Sequence, residues 1–391
     1  MRCRKNFAPI IITYIIIVVE IAISFNSVLL PNIKLDLAIS DQIAQSTISI
    51  GLFALGASGI IYGGLADSVG RRPMLICSIS IFFISTFAIT FATTIEVFLI
   101  GKFAQGLGSG AAWVVGNACL KDIYSGKEYT KIMNYVHAIA GITPAVAPVI
   151  GSYLGTIIGW KGCFQILLFC SFIALIKIIL WQKETLLEKK PFCSKTFILN
   201  YITVFKERIF IKFLIVKVLC VMLIFVESSN LPLIFVDYMN VEPEYYGLYV
   251  LPLFLIYVIG TVISGKYTEK YSEEKIIFYG LVIMIISNLS VLCVFYLKVA
   301  TPVIIQICKI PCYMGWGFIF GNATSKIVSA VHGKAGVASS IMIALEMIFS
   351  SLGITLTSII FNGTILPITY FIIATCTICI ISMILIHKVN I

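Results

Sequence analysis

Charge is what this chain has least of. Asp, Glu, Lys and Arg make up 12% of its 391 residues, and 60% are hydrophobic. A typical soluble domain carries about 25% charged residues. So apolar a chain cannot coat a water-solvated core, and its solvent is lipid. Histidine is scarcer still: His137, His332 and His387 are too dispersed for a metal centre. The acidic residues form no cage for a cation, and no nucleophile sits in a loop beside a base. Those absences speak against a membrane enzyme. Long polar stretches are missing too, which leaves no room for the output domain of a sensor or scaffold. The twelve cysteines lie mostly inside apolar runs, and none forms a C-x-x-C pair beside histidines. Cys376 and Cys379 have no third or fourth ligand nearby. The cysteines read as small apolar side chains, with neither a disulfide framework nor a metal site.

What is present is apolar length. A run of about 20 apolar residues spans a bilayer. The chain has twelve, at about 7–30, 43–66, 73–92, 96–119, 132–156, 162–182, 211–236, 246–266, 275–297, 301–324, 335–361 and 365–387. The first starts near Phe7 without a small-residue cleavage site, so it reads as a retained helix and not a signal peptide. The expected fold class is an all-α polytopic membrane protein.

The net charge of +10 is spread over short loops, which argues against nucleic acid as a partner and for contact with an anionic leaflet. With the N-terminus inside, the cytoplasmic side holds Arg2, Arg4, Lys5, Arg71, Arg72, Lys121, Lys183, Lys190, Lys195, Lys326, Lys334 and other basic residues. The far side holds Lys34, Lys161 and Lys298. This asymmetry places both termini in the cytoplasm. The longest polar stretch, 183–210, is basic and contains Pro191. It divides the chain into bundles at 1–182 and 211–391 joined by a cytoplasmic linker. Gly265 to Glu269, after the eighth run, repeats the spacing of Gly63 to Asp67 after the second. Two six-helix halves in pseudo-repeat put a substrate site near the midplane.

One loop stands apart. Between the second and third runs the chain reads Gly63-x-x-x-Asp67-x-x-Gly70-Arg71-Arg72. Gly63 suits a close helix approach. Asp67 can neutralise a helix end and Gly70 permits a tight turn. A positive-inside loop needs only the arginines. The order resembles the loop between helices 2 and 3 of the major facilitator superfamily. Further residues are similar to the bicyclomycin-resistance type of multidrug efflux transporter. They include Leu30-Pro31 with Asp36-Leu37, Lys102-x-x-Gln105-Gly106 in the fourth run, and Lys121-Asp122 at its end. Pro144-x-x-x-Pro148-x-x-Gly151 in the fifth run resembles the antiporter motif, followed by Gly159-Trp160 and Phe164. In the second half, Leu231-Pro232, Tyr246-Gly247-Leu248, and Gly321-Asn322 fit the same pattern.

This resemblance implies the major facilitator fold, a proton gradient in place of a cofactor, a small-molecule substrate, and a monomer in the bacterial inner membrane. The chain departs from the pattern at several positions. Ser68 stands where the family usually has Arg, Lys102 replaces another Arg, and Ala147 and Ser152 stand where Gly is preferred. The acid often found late in the first helix falls near Ser24 and is missing, while Glu20 lies one turn earlier.

Charges inside a bilayer are costly and mark function by default. The candidates for proton coupling are Glu20, Lys102, Glu227, Glu346 and Asp122, with Lys177, Lys217 and Lys309 behind them. Glu20 sits among Val19, Ile21 and Ala22, so its charged form needs a partner or a wet pocket. Lys102 is one such partner, either tuning a coupling site or forming a structural pair. Snorkelling to the interface is the other reading of Lys102. Ser228, Ser229 and Asn230 follow Glu227, which suits a cavity-facing strip or plain interhelical hydrogen bonding. Glu346 either reads a cationic substrate, takes a second proton, or pairs with Lys309. Pro144 and Pro148 are expected to bend their helix, with Gly141, Gly151 and Gly155 packing closely against a neighbour. Phe25, Trp113, Phe225, Tyr313 and Trp316 are candidates to line a cavity, against the ordinary role of facing lipid. Together these features lead to a proton-coupled exporter of small hydrophobic or cationic compounds. A proton-coupled metabolite uptake carrier is the alternative.

Overall fold

In lipid every backbone polar group must be satisfied within the chain, so apolar runs of this length become helices. The computed structural model of the protein describes residues 7–186, 189, 199, 201–331 and 335–388. Arg2, Arg4, Lys5, Lys190, Pro191, Lys195, His332 and Lys334, named above, lie outside them, as do Cys3 and Cys193. Among the described residues there is no strand. The helices are α1 (Phe7–Val28), α2 (Leu30–Asp36), α3 (Asp41–Leu65), α4 (Arg71–Thr90), α5 (Ile95–Ile123) and α6 (Gly126–Trp181). They continue with α7 (Arg208–Leu233), α8 (Pro243–Tyr267), α9 (Glu273–Tyr296), α10 (Pro302–Ser329), α11 (Ala335–Ile360) and α12 (Leu366–Lys388).

Ten stretches among the described residues are long and apolar enough to cross a membrane. One of them, Lys131–Trp181, is two spans joined across Gly159, whose φ of 69° breaks the helix. Helix α5 is diluted by Lys102, Gln105 and its glycines and is not among the ten, yet at 29 residues it is long enough to cross. With these two adjustments the twelve expected spans are present. Two ends differ from expectation. The first run breaks at Leu29 and continues as the short α2, which has proline in its first turn. The seventh continues past Pro232 into a π-helical turn, Ile234–Tyr238.

The chain divides into two compact units, Met1–Phe197 and Ile198–Ile391. In the first, α5 packs against α3 and α4, and α6 packs against α1 and α4. Helix α5 comes so close to α3 that a Cβ on Gly106 would overlap the carbonyl oxygen of Gly51. On its other side Ser78 of α4 donates to the Gly108 carbonyl at 2.5 Å. In the second unit α10 has the same place, packed against α8 and α9. A Cβ on Gly315 would stand 2.6 Å from the Gly280 oxygen. Small residues at such contacts let backbones approach, which is how helices associate where lipid removes the hydrophobic drive.

Pro144 and Pro148, expected to bend their helix, both lie inside α6. Within α6 the backbone leaves helical angles at Gly159, and it passes through both prolines unbroken. A proline deletes one hydrogen bond, and in a packed bundle the freed carbonyl finds another partner. Two of the three glycines expected at a close contact are at one. Gly151 meets the Phe25 ring of α1, and Gly155 meets Leu29 just beyond it, whereas Gly141 has open space.

Candidate functional site

The loop before α4 closes onto the end of α6. Asp67 pairs with Arg71 at 2.8 Å, and the Arg71 guanidinium also reaches Asp122 at the end of α5, with Nε donating at 3.1 Å. Thr185 donates to the same Asp122 oxygen at 3.1 Å. Glu184 accepts the backbone N–H groups of Arg71 and Arg72, at 2.9 and 3.2 Å, and so caps α4 from a remote part of the chain. The Arg72 side chain donates to the Ile179 carbonyl. Gly70 is required twice over: its φ is 120°, and a Cβ there would lie 2.5 Å from Glu184 Oε2. Burial opposes charge on Glu184, but backbone donors from Leu186, Arg71, Arg72 and Thr185 outweigh it and hold the carboxyl below its ordinary range. A depressed carboxyl stabilises the fold at neutral pH, and the contribution fades as pH falls through the folded value. The sequence reading gave Asp67 the helix-end role that Glu184 takes; Asp122, a proton-coupling candidate there, contacts Arg71 and Thr185.

At the opposite end of the same unit two family-like segments meet. Trp160 Nε1 donates to Asp36 at 3.0 Å, and Lys161 pairs with the same oxygen at 3.0 Å. The Lys161 hydrogen bond, ahead of the Trp160 one, keeps the Asp36 carboxyl below its usual range. Phe98 and Phe164 pack edge-on against the Trp160 ring.

Mid-helix, Glu20 of α1 accepts from Trp113 Nε1 of α5 at 3.1 Å. Trp113 therefore serves the carboxylate as a donor. Lys102 is 5% exposed and donates to Gln105 Oε1 at 2.7 Å, which excludes snorkelling. Gln105 in turn donates to Thr86. Lys102 and Gln105 line a narrow cleft with Ala22, Asn26, Gly51 and Ser109. The expected Lys102–Glu20 contact is absent, because Lys102 precedes Trp113 by eleven residues on α5, roughly 16 Å at 1.5 Å per residue. Phe25, expected in a cavity wall, is buried against Gly151.

The second unit holds two buried ion pairs. Glu227 of α7 pairs with Lys309 of α10 at 2.5 Å, and Lys309 also donates to Asn288 of α9 at 2.8 Å. Glu346 of α11, for which Lys309 was one of the readings, has Lys217 of α7 at 3.9 Å. Lys309 meets Glu227 through Oε1 alone, and Glu227 Oε2 accepts no hydrogen bond. Tyr313 and Trp316 are buried and stack edge-on at 4.5 Å; Phe225 is half-buried. Lys177 lies over the Tyr14 ring. The second-half counterpart of the α4 loop has its charges reversed: Glu273 at the start of α9 pairs with Lys326 near the end of α10, at 2.7 Å. Glu184, Asn288 and the Trp160–Asp36 bond escaped the sequence reading. The acid three residues past the end of α6 was the one available signal for Glu184.

The Major Facilitator Superfamily profile matches residues 12–354. The chain belongs to the major facilitator superfamily. Among superfamily relatives, it is 24% identical over 323 residues to the multidrug resistance protein MdtL of Shewanella oneidensis, covering 83% of this chain and 81% of that one. It is 26% identical over 346 residues to MdtL of Escherichia fergusonii, covering 85% and 84%. Among solved superfamily structures, the peptide transporter POT superposes with a TM-score of 0.79 at 11% identity, covering 98% of this chain and 94% of that one. The xylose transporter XylE from E. coli gives 0.73 at 13%, covering 99% and 98%. Those two likenesses concern the fold. This superfamily member is an integral membrane protein and a transporter.

Proposed function

We propose that the chain is a proton-coupled exporter of small hydrophobic compounds that works by alternating access in the bacterial inner membrane as a monomer. The observation that carries the reading is Glu20, an intramembrane acid held by one indole N–H in a chain related to multidrug resistance proteins. A carboxylate without a cationic partner can take and release a proton. The test is transport in inverted vesicles across a panel of lipophilic compounds. Uptake driven by an acidic lumen and abolished by a protonophore is the expected result; uptake indifferent to the gradient overturns it.

Both termini and the 183–210 linker lie in the cytoplasm in this proposal, on the support of the basic residues crowded there. Lys183→Cys in a cysteine-free chain is expected to resist an impermeant thiol reagent in intact cells and to react in inverted vesicles. Labelling from outside reverses the topology.

The Asp67–Arg71–Asp122–Glu184 cluster governs the cycle and leaves substrate affinity alone, because a latch at a helix end biases one of two states. Asp67 is 58% exposed, so its pair contributes about 0–1 kcal/mol and Asp67→Asn slows turnover by no more than about fivefold. Arg71→Gln also strips Asp122 of a charged hydrogen bond, about 1.5–3 kcal/mol, and slows turnover more. Equilibrium substrate binding is unchanged in both, and a matching loss of affinity would contradict the assignment.

A further inference from the structure

The two ion pairs of the second unit are built differently. Lys309 meets Glu227 Oε1 at 2.5 Å in a direct charged hydrogen bond and has Asn288 as a further acceptor, while Glu227 Oε2 accepts none. Lys217 stands 3.9 Å from Glu346, beyond hydrogen-bonding reach. Its ammonium lies over the Phe320 ring and donates to the Phe320 carbonyl at 3.3 Å. Glu346 Oε1 accepts no hydrogen bond, although the residue is only 6% exposed. Tyr257 of α8 stands edge-on to Phe320, ring centroids 6.0 Å apart. An open acid and an aromatic ring meeting at one ammonium form the arrangement that recognises a lipophilic cation, through charge and through the ring quadrupole. Phe320 is 39% exposed, and Gly321 beside it is exposed with open space where a Cβ would stand. Glu346 and Lys217 are both well inside their helices, the depth at which this architecture binds substrates.

We propose that Glu346, Phe320 and Tyr257 form a subsite for the cationic centre of a lipophilic ammonium or phosphonium compound, which the ammonium of Lys217 fills in the substrate-free protein. Lys217 is thus a tethered competitor. An arriving cation takes its place on the ring and on the carboxylate, and a neutral compound gains nothing there. The proposal deepens the exporter reading and rests on it for the identity of the transported class.

Purified full-length protein in detergent is titrated with tetraphenylphosphonium and with neutral triphenylphosphine oxide. Lys217→Met removes the competitor and is expected to tighten cation binding about tenfold, and Glu346→Gln to weaken it about tenfold. Phe320→Leu, which keeps both charges, weakens it several-fold. The neutral probe binds all four proteins alike, which also shows that each is folded. Tetraphenylphosphonium raises the melting temperature of Lys217→Met more than that of the wild type. Parallel changes for both probes, weaker cation binding by Lys217→Met, or no cation binding by the wild type overturn the subsite. In any of those cases, gradient-driven uptake of the neutral compound in vesicles leaves the exporter reading standing, whereas its loss removes both.

Discussion

Glu20→Gln is expected to abolish uphill export while downhill substrate movement continues. The substitution keeps an oxygen able to accept from Trp113 Nε1, now 3.1 Å away, and removes only the titrating charge. Packing of α1 against α6 is undisturbed, so a variant that inserts and folds but cannot concentrate substrate isolates the coupling step. Vesicles loaded with substrate and diluted should release it at a rate near the wild type's. Vesicles energised by an acidic lumen should accumulate no more than empty ones. The pH dependence of substrate binding near neutrality should vanish as well. Lys102→Met is expected to leave that pH dependence in place, because Lys102 turns away from Glu20 toward Gln105. If Glu20→Gln still accumulates substrate with the wild-type pH profile, coupling belongs to Glu227, Glu346 or Asp122.

Glu227→Leu should be the most damaging single change to stability. It leaves the Lys309 ammonium, 1% exposed, with Asn288 and no anion. Breaking one side of a buried pair costs about 3–5 kcal/mol, whereas replacing both partners by apolar groups is often neutral. Thermal unfolding in detergent should therefore show a large drop for Glu227→Leu and recovery of most of it in Glu227→Leu with Lys309→Met. If transport returns with stability in the double variant, the pair is structural. If stability returns without transport, the pair takes part in the cycle. A single variant as stable as the wild type would mean that the 2.5 Å contact contributes little.

The spans were legible from residue type alone, because in lipid an apolar run of this length has no alternative to a helix. The boundary at Gly159 was legible for the same kind of local reason, as was the turn at Gly70, where φ is positive. The loop motif was readable through Gly70, Arg71 and Arg72, and the acid missing from the usual place in α1 pointed to Glu20. Partnership was not legible. Two buried acids and three buried lysines in the second unit, Lys212, Lys217 and Lys309, allow more than one pairing. Which lysine meets Glu227 depends on how α7, α9, α10 and α11 pack, a choice made by glycine contacts such as Gly280 against Gly315. Glu184 lies more than a hundred residues from the α4 amides it caps, and no periodicity links them. Residue chemistry determined that this protein would be a helical membrane transporter with charges in its interior. The tertiary structure decided which charges neutralise one another and which, as at Glu20 and Glu346, keep an oxygen without a cation in hydrogen-bonding reach, because in a medium that cannot solvate them only neighbouring helices supply the partners.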